Sequence, residues 1–348
     1  MGISRPQTPF PFDFSTTSVL PSIRNLAFVL LVFILNNCMG APPGTLEEKA
    51  KYFCENAQEA LAFGDDERSL SLYFKAVEIN PRSFSGHLGV AQMQIRLRRF
   101  AEAAGSLDKA RTVAGSNGGR WEALGNAYAA ARDWKSAIAA HRKHHELVPE
   151  SASPLLRLGD LYLSLARYEL AQIAYREAAR RKPDLAGIQA GLGRVYSRKG
   201  SIDSASAYLK TAHDLDPTNP DLNCELASLL IQNGKPDEAV LLLEPITEVS
   251  PFHVRVRYLL ARSYAALGRD SSARKQTEAF DRLRQIRKNI ESLEDIVAEN
   301  PTANRYSALA HLYTRVRNDS LARASHRRAT VLDPLATAAE GSHTIDSY

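Results

Sequence analysis

Three histidines lie close together in the middle of the chain, at His141, His144 and His145. His141 and His145 are four residues apart, so a helix would place them on one face, where two imidazoles can share a zinc ion. However, His141 and His144 also fall on the apolar stripe of the helix that the surrounding sequence predicts. We therefore interpret them as packing residues and predict no metal site and no cofactor.

Motifs typical of enzymes are absent from the sequence. The glycine-rich segment Gly115–Gly119 lacks the Lys-Ser/Thr that completes a phosphate-binding loop. Neither Cys-x-x-Cys, His-Glu-x-x-His nor Gly-x-Ser-x-Gly occurs. We therefore predict a protein without catalytic residues.

Composition agrees with a soluble binding protein. The 348 residues are 44% hydrophobic and 24% charged, with a net charge of +5. This mild positive charge is compatible with acidic partners. The sequence has no arginine-rich run of five or more residues, so it does not indicate nucleic-acid binding.

A regular spacing of helix-stopping residues reveals the elements that position these side chains. The stops are Pro81, Gly115, Pro149, Pro183, Pro217 and Pro251. They recur at one constant interval, and a glycine takes the place of proline at the second stop. The interval is that of a helix–turn–helix repeat of about 34 residues, so the spacing predicts a stacked array of such units.

Each interval holds two amphipathic helices. The first carries a leucine, a small residue and then an aromatic residue, as in Leu158, Gly159 and Tyr162. The second carries alanines flanking a bulky residue, as in Ala171, Tyr175 and Ala178. Spacings of three and four place these residues on one face, which neighbouring units must bury.

The segment from Trp121 to Pro149 closely resembles the tetratricopeptide repeat, although His141 and His144 replace an aromatic residue and an alanine. The resemblance implies an all-α, right-handed α-solenoid with a concave, protein-binding groove lined by first helices. It covers about eight units, at 50–83, 84–117, 118–151, 152–185, 186–219, 220–253, from 254 to 287, and 303–336.

Arginines are concentrated on the first helices of the later units. In a right-handed array they should face the same groove, where guanidinium groups can bind carboxylates in bidentate fashion. We predict a partner-binding patch for an acidic peptide or an acidic polysaccharide. The patch consists of Arg194, Arg198, Arg255, Arg262 and Arg315.

The N-terminal residues 1–41 are predicted to be a disordered leader followed by an export signal. Arg24 precedes ten apolar residues at 26–35, a run too short for a comfortable membrane anchor. Three outcomes stay open: lipidation of Cys38, cleavage after Gly40, and an uncleaved anchor. All three predict an exported protein, located in the periplasm or at the outer membrane.

The repeats are interrupted between the seventh and eighth units. Residues 288–302 are predicted to be an extra helix or an extension of the preceding one, because apolar residues recur there every three or four positions. This stripe could pack back as a cap or pair with another chain. Residues 337–348 are predicted to be a flexible tail.

Together these features predict a non-catalytic scaffold that binds other proteins through its groove, with possible membrane attachment by the N-terminus. Two alternatives stay open. One is a structural component of an envelope complex for polysaccharide export or outer-membrane assembly. The other is an accessory subunit of an enzyme that acts on a substrate held in the groove.

Overall fold

The computed structural model describes residues 44–333, apart from the side chains of residues 298 and 299. The predicted leader, Cys38 and the predicted tail at 337–348 lie outside the described residues. Contacts divide the chain into two units, Met1–Lys49 and Ala50–Tyr348. The second unit contains the repeats and the functional features described below.

All secondary-structure elements of the described residues are helices. They are α1 (Leu46–Ala62), α2 (Asp66–Ile79), α3 (Phe84–Arg96), α4 (Phe100–Thr112), α5 (Gly118–Ala130), α6 (Trp134–Leu147), α7 (Ser153–Ser164), α8 (Tyr168–Arg181), α9 (Ala186–Arg198), α10 (Ile202–Leu215), α11 (Pro220–Gln232), α12 (Pro236–Leu243), α13 (Ile246–Val249), α14 (Val254–Ala266), α15 (Asp270–Glu299), α16 (Ala303–Arg315) and α17 (Asp319–Leu332). Consecutive helices pack as hairpins, and hairpins stack in chain order. The predicted all-α solenoid is confirmed.

The turn inside each hairpin has the same backbone conformation in every repeat. One residue of the turn has a positive φ, which ends the first helix. Glycine occupies this place at Gly200, whereas Arg132 and Ala166 adopt it without being glycine. The left-handed conformation costs a residue with a Cβ about 1–2 kcal/mol, so packing of the two helices outweighs local preference at these turns.

At the fourth repeat, stacking depends on a bulky second-helix residue that contacts glycines of two first helices. The Tyr175 side chain of α8 is completely buried. A Cβ atom built on Gly159 of α7 would lie 2.5 Å from the tyrosine ring, and one on Gly191 of α9 would lie 2.4 Å from it. Real Cβ atoms do not approach this closely, so only glycine lets both helices contact the ring.

Pro245 interrupts the second helix of the sixth repeat. Proline lacks an N–H donor and clashes with the preceding turn, so the helix is divided into α12 and α13. Ile246 remains buried beside Leu243, and the core therefore continues across the break.

The seventh repeat differs from the others because its second helix does not stop. α15 runs from Asp270 to Glu299 as one helix of 30 residues, so the interruption is an extension of that helix. The last hairpin, α16 and α17, packs on the second half of α15. Ile290 of α15 forms a small core there with Leu309, Tyr313 and Ala322.

The last hairpin also contacts the first turn of the array. The Arg327 guanidinium donates a hydrogen bond of 2.7 Å to the Ala62 carbonyl and lies 5.1 Å above the Phe63 ring. Arg328 forms an ion pair of 3.3 Å with Asp65. The first and last repeats of the unit are thus in direct contact, although 265 residues separate Ala62 from Arg327.

We expect Gly191→Ala to lower the free energy of unfolding by roughly 1–3 kcal/mol, because the added methyl group overlaps the enclosed Tyr175 ring. Gly105→Ala in α4 is the matched control. A Cβ there meets nothing within 4 Å, so this change should raise the free energy of unfolding by roughly 0.5–1 kcal/mol. Urea denaturation of both variants measures the difference, and equal effects would contradict the proposed role of Gly191.

Candidate functional site

The first helices present one polar residue per repeat on a shared face. Each of these residues directly follows the small residue that packs inside its hairpin, so it points away from that core. We call this row the first-helix ladder: Gln58, Gln92, Asn126, Asp160, Arg194, Ser228 and Arg262. Gln58, Gln92, Asn126 and Arg262 are exposed, whereas the three members between Asn126 and Arg262 are partly buried.

A network of charged residues occupies the centre of the ladder. Asp160 accepts a hydrogen bond of 2.7 Å from the Tyr175 hydroxyl and lies 3.6 Å from the Arg157 guanidinium. Arg194 Nε lies 2.8 and 3.0 Å from the two carboxylate oxygens of Glu225, on the next first helix. The Arg194–Glu225 bonds connect the first helices of the fifth and sixth repeats, whereas both contacts of Asp160 lie within the fourth repeat.

The positive charge of Arg194 is balanced within the chain by the carboxylate of Glu225. Burial by itself lowers the pKa of Arg194, but the hydrogen bond and charge of Glu225 outweigh burial and raise it. Burial raises the pKa of Tyr175, and the neighbouring Asp160 carboxylate adds to this effect. Arg194 is therefore a positively charged contact between repeats, and a partner would have to displace Glu225 to bind it.

The other arginines of the predicted patch differ in their surroundings. Arg198, one turn beyond Arg194 on α9, is exposed and has no partner among the described residues. Arg255 and Arg262 are exposed on α14, where the Arg262 guanidinium lies 5.7 Å from the centre of the Tyr258 ring. Arg315 is exposed on α16, which packs on the second half of α15 and not in the next position of the first-helix stack.

Asp160 and Glu225 were not among the residues that we predicted from the sequence. The signal for Asp160 was present, because it lies one repeat interval before Arg194. Glu225 lies three residues before the ladder position of its own repeat. Only the rotation of α11 relative to α9 brings its carboxylate to Arg194.

The three histidines lie on α6 and do not converge on one point. His141 is 1% exposed, and its ring fills the space that tyrosine occupies in the next repeat, against Gly125. His144 is also buried. Among residues 44–333, no group of three or more metal-binding side chains could hold an ion.

The thiols of the described residues are poor nucleophiles. Cys54 and Cys224 are buried and unpaired. Burial raises the pKa of Cys54 to about 11 and that of Cys224 to about 12. Both therefore remain protonated at neutral pH and serve as small apolar residues.

His141 should make stability depend on pH. Burial, together with the charges of His144 and Arg157, lowers the pKa of His141 from 6.5 to about 4, with Glu122 opposing. The unfolded chain therefore binds a proton below pH 6.5 that the folded chain excludes, and stability falls as the pH drops from about 6.5 towards 4. Between pH 7 and pH 5, we expect the wild type to lose about 2 kcal/mol more than His141→Phe. Urea denaturation at both pH values measures these losses, and an equal loss of unfolding free energy in the two proteins would contradict the prediction.

None of the helices between residues 44 and 333 combines the length and apolar character needed to cross a bilayer.

Two family models described as tetratricopeptide repeat match the chain, at residues 156–220 and 196–253. Protein bimA of Emericella nidulans is 29% identical over 104 residues, which cover 30% of this chain and 13% of bimA. Tetratricopeptide repeat protein 21B of Mus musculus is 25% identical over 278 residues, which cover 78% of this chain and 18% of that protein. The chain thus spans less than a fifth of the length of these curated relatives.

A solved structure supports the same fold. The crystal structure of a tetratricopeptide repeat protein from Parabacteroides merdae aligns with a TM-score of 0.53 at 17% identity, covering 67% of this chain and 93% of that one. The regularly spaced hairpins, the glycine contacts of Tyr175 and both family models agree with this architecture. Residues 156–253 therefore consist of tetratricopeptide repeats, and the helical hairpins on either side follow the same architecture.

Proposed function

We propose that this protein is a non-catalytic scaffold that binds an extended, acidic segment of a partner protein along the first-helix ladder. The observation that carries this proposal is the ladder itself. Its exposed members, such as Gln92 and Asn126, are polar and are not needed for stacking, because the neighbouring small residues make those contacts. A surface with one polar side chain per repeat is suited to a chain that runs across the repeats.

The spacing of the ladder matches an extended peptide. Packed helices lie about 8–10 Å apart, and a β-strand rises about 3.3 Å per residue. One ladder residue therefore meets about every third residue of the partner. The amide side chains of Gln58, Gln92 and Asn126 can both donate to and accept from its backbone.

Charge favours an acidic partner at the later repeats. Arg198 and Arg255 are exposed and have no ion-pair partner among the described residues, unlike Arg194. Carboxylates of a partner can bind these guanidinium groups without displacing an internal one. The acidic segment would therefore lie over α9 to α14, and the amide part of the ladder would hold the remainder of the peptide.

We further propose that the scaffold acts in the cell envelope. The motivation is the sequence at its N-terminus, where Arg24, the apolar run at 26–35 and Cys38 have the order of an export signal. A lipid on Cys38 would attach the scaffold to a membrane surface.

Reversing the charges of Arg198 and Arg255 should weaken partner binding. The test uses a partner recovered with the full chain from its native extract and then purified. We expect Arg198→Glu with Arg255→Glu to weaken the complex about tenfold or more, equivalent to about 1.4 kcal/mol, with a shallower salt dependence. The matched control is Arg180→Glu, an exposed arginine on the second helix α8. Equal affinity of the wild type and the double variant would contradict the proposal.

Metabolic labelling with a radioactive fatty acid tests the proposed attachment. Expression in a bacterium with lipoprotein processing should label the wild type, whereas Cys38→Ser should remain unlabelled and leave the membrane fraction. Cys54→Ser is the control and should keep the label, because that thiol is buried in the first repeat. Absence of label from the wild type would exclude lipidation.

A further inference from the structure

An open cleft lies between the two helices of the seventh repeat. It has a volume of about 680 Å³ and is formed by α14 and the first half of α15. Tyr258 and Phe280 line it, with their ring centres 5.6 Å apart, and Tyr258 is 44% exposed. Arg274 and Glu278 line the same cleft.

In the fourth repeat the corresponding surface is covered by the first helix of the next repeat. Tyr258 lies three repeat intervals after Leu156, and Thr277 lies three after Tyr175. A Cβ on Gly191 of α9 would meet the Tyr175 ring at 2.4 Å, and one on Gly187 would meet Leu156 at 3.9 Å. In the fourth repeat, α9 therefore covers the surface that forms the cleft in the seventh.

The residues of the cleft retain the pattern of a covered face. Ala273 stands where Ala137, Ala171 and Ala205 are completely buried, but it is itself only partly buried. Thr277 is exposed at the position where Tyr175 is completely buried. The seventh repeat therefore has the small residues that a neighbouring first helix would contact, but the last hairpin packs further along α15.

The cleft is open because α15 is extended. In four earlier interfaces, a tyrosine hydroxyl of the incoming first helix bonds to a charged residue of the preceding second helix. The pairs are Tyr128–Asp108 at 3.2 Å, Tyr162–Arg142 at 2.8 Å, Tyr196–Arg176 at 2.8 Å, and Tyr264–Glu244.

Glu278 is the next residue in this series, one repeat interval after Glu244. The incoming tyrosine of the last repeat, Tyr313, bonds instead to Glu294, sixteen residues further along α15. At about 1.5 Å per residue this moves the last hairpin by about 24 Å. Glu278 is left exposed and has no partner among the described residues.

We propose that this cleft binds one α-helix of a partner protein, and that this helix has the character of the chain's own first helices. It would match α9, a helix of 13 residues, in length. A glycine or alanine would lie over Thr277, and a tyrosine hydroxyl would reach Glu278. The Tyr196 hydroxyl shows the geometry, because it lies 2.8 Å from both Gln172 and Arg176. At the cleft these two positions are Arg274 and Glu278, so a hydroxyl can accept from one and donate to the other.

A second copy of this chain is not the proposed occupant. The first helices that carry the tyrosine are already packed in their own stacks, as the four hydroxyl bonds show. α1 precedes the first repeat interface and has Ala60 at the tyrosine position. The proposal shares with the ladder only the need for a protein partner, since the two surfaces use different residues apart from Arg262.

The test uses the full chain and a side-chain-stapled, fluorescent peptide with the sequence of residues 117–132, which contains Trp121 and Tyr128. Stapling is needed because an isolated helix of this length is marginally stable. We expect saturable binding, measured by fluorescence anisotropy, that Thr277→Trp weakens at least tenfold by filling the cleft. Lys275→Trp, on an exposed residue of α15 outside the cleft, should bind as the wild type does.

A second comparison isolates the hydroxyl bond. The wild type should bind the tyrosine peptide about threefold more tightly than the same peptide with Tyr128 replaced by phenylalanine, and Glu278→Gln should lose part of this preference. Arg198→Glu with Arg255→Glu, which tests the proposed binding of an acidic segment, should leave peptide binding unchanged.

No binding of the stapled peptide by the wild type up to 1 mM (a ceiling about a thousandfold above micromolar affinity), or equal binding by wild type and Thr277→Trp, would overturn the proposal. Sedimentation that shows a wild-type dimer abolished by Thr277→Trp would also overturn it, because the occupant would then be a second copy. If Arg198→Glu with Arg255→Glu failed to weaken binding of the acidic partner, this result would be unchanged, and the failure would count only against the proposed function.

Discussion

The close approach of first and second helices is the contact on which the structure depends. Tyr175 fills the space between two first helices, and Gly159 and Gly191 make that space available. His141 packs against one glycine, Gly125, at the same position of the preceding repeat. Because these contacts have no spare volume, each hairpin can stack in only one way, and the same geometry places one ladder residue per repeat on the same face. The binding surface is thus a consequence of the packing that buries the core.

Polar contacts modify this apolar framework. The tyrosine hydroxyls bond to charged residues of the preceding repeat, and Arg194 pairs with Glu225 of the following one. These bonds lie at repeat interfaces, where the partner residues are partly shielded from water, so they help to fix how neighbouring repeats align. The extension of α15 shifts the last such bond from Glu278 to Glu294 and leaves a prepared helix surface uncovered. The chain therefore offers two different surfaces, a ladder across the repeats and a cleft within one.

Much of the fold could be predicted because its signals are local. The stops at Pro149 and Pro183 and the sets around Tyr162 and Tyr175 repeat at one interval, and each places a helix face without knowledge of its neighbours. The patch of five arginines was also predicted from positions on helix faces. Whether each arginine is free to bind a partner, however, depends on the side chains that surround it in the folded chain. Arg194 lies on the expected face, yet its charge is balanced by an ion pair with Glu225. That pairing joins residues of different repeats, so its prediction requires the relative rotation of two helices.

The sequence by itself determined the helix pairs, their order and the small residues at their contacts, because these follow from helical periodicity and from proline and glycine stops. Only the tertiary structure decided which charges are free, as with Arg198, and which are neutralised, as with Arg194. It also decided that Arg327 reaches Ala62 across 265 residues and that Glu278 has no partner among the described residues. These outcomes depend on how small rotations between successive hairpins add up along the array, which no single repeat encodes.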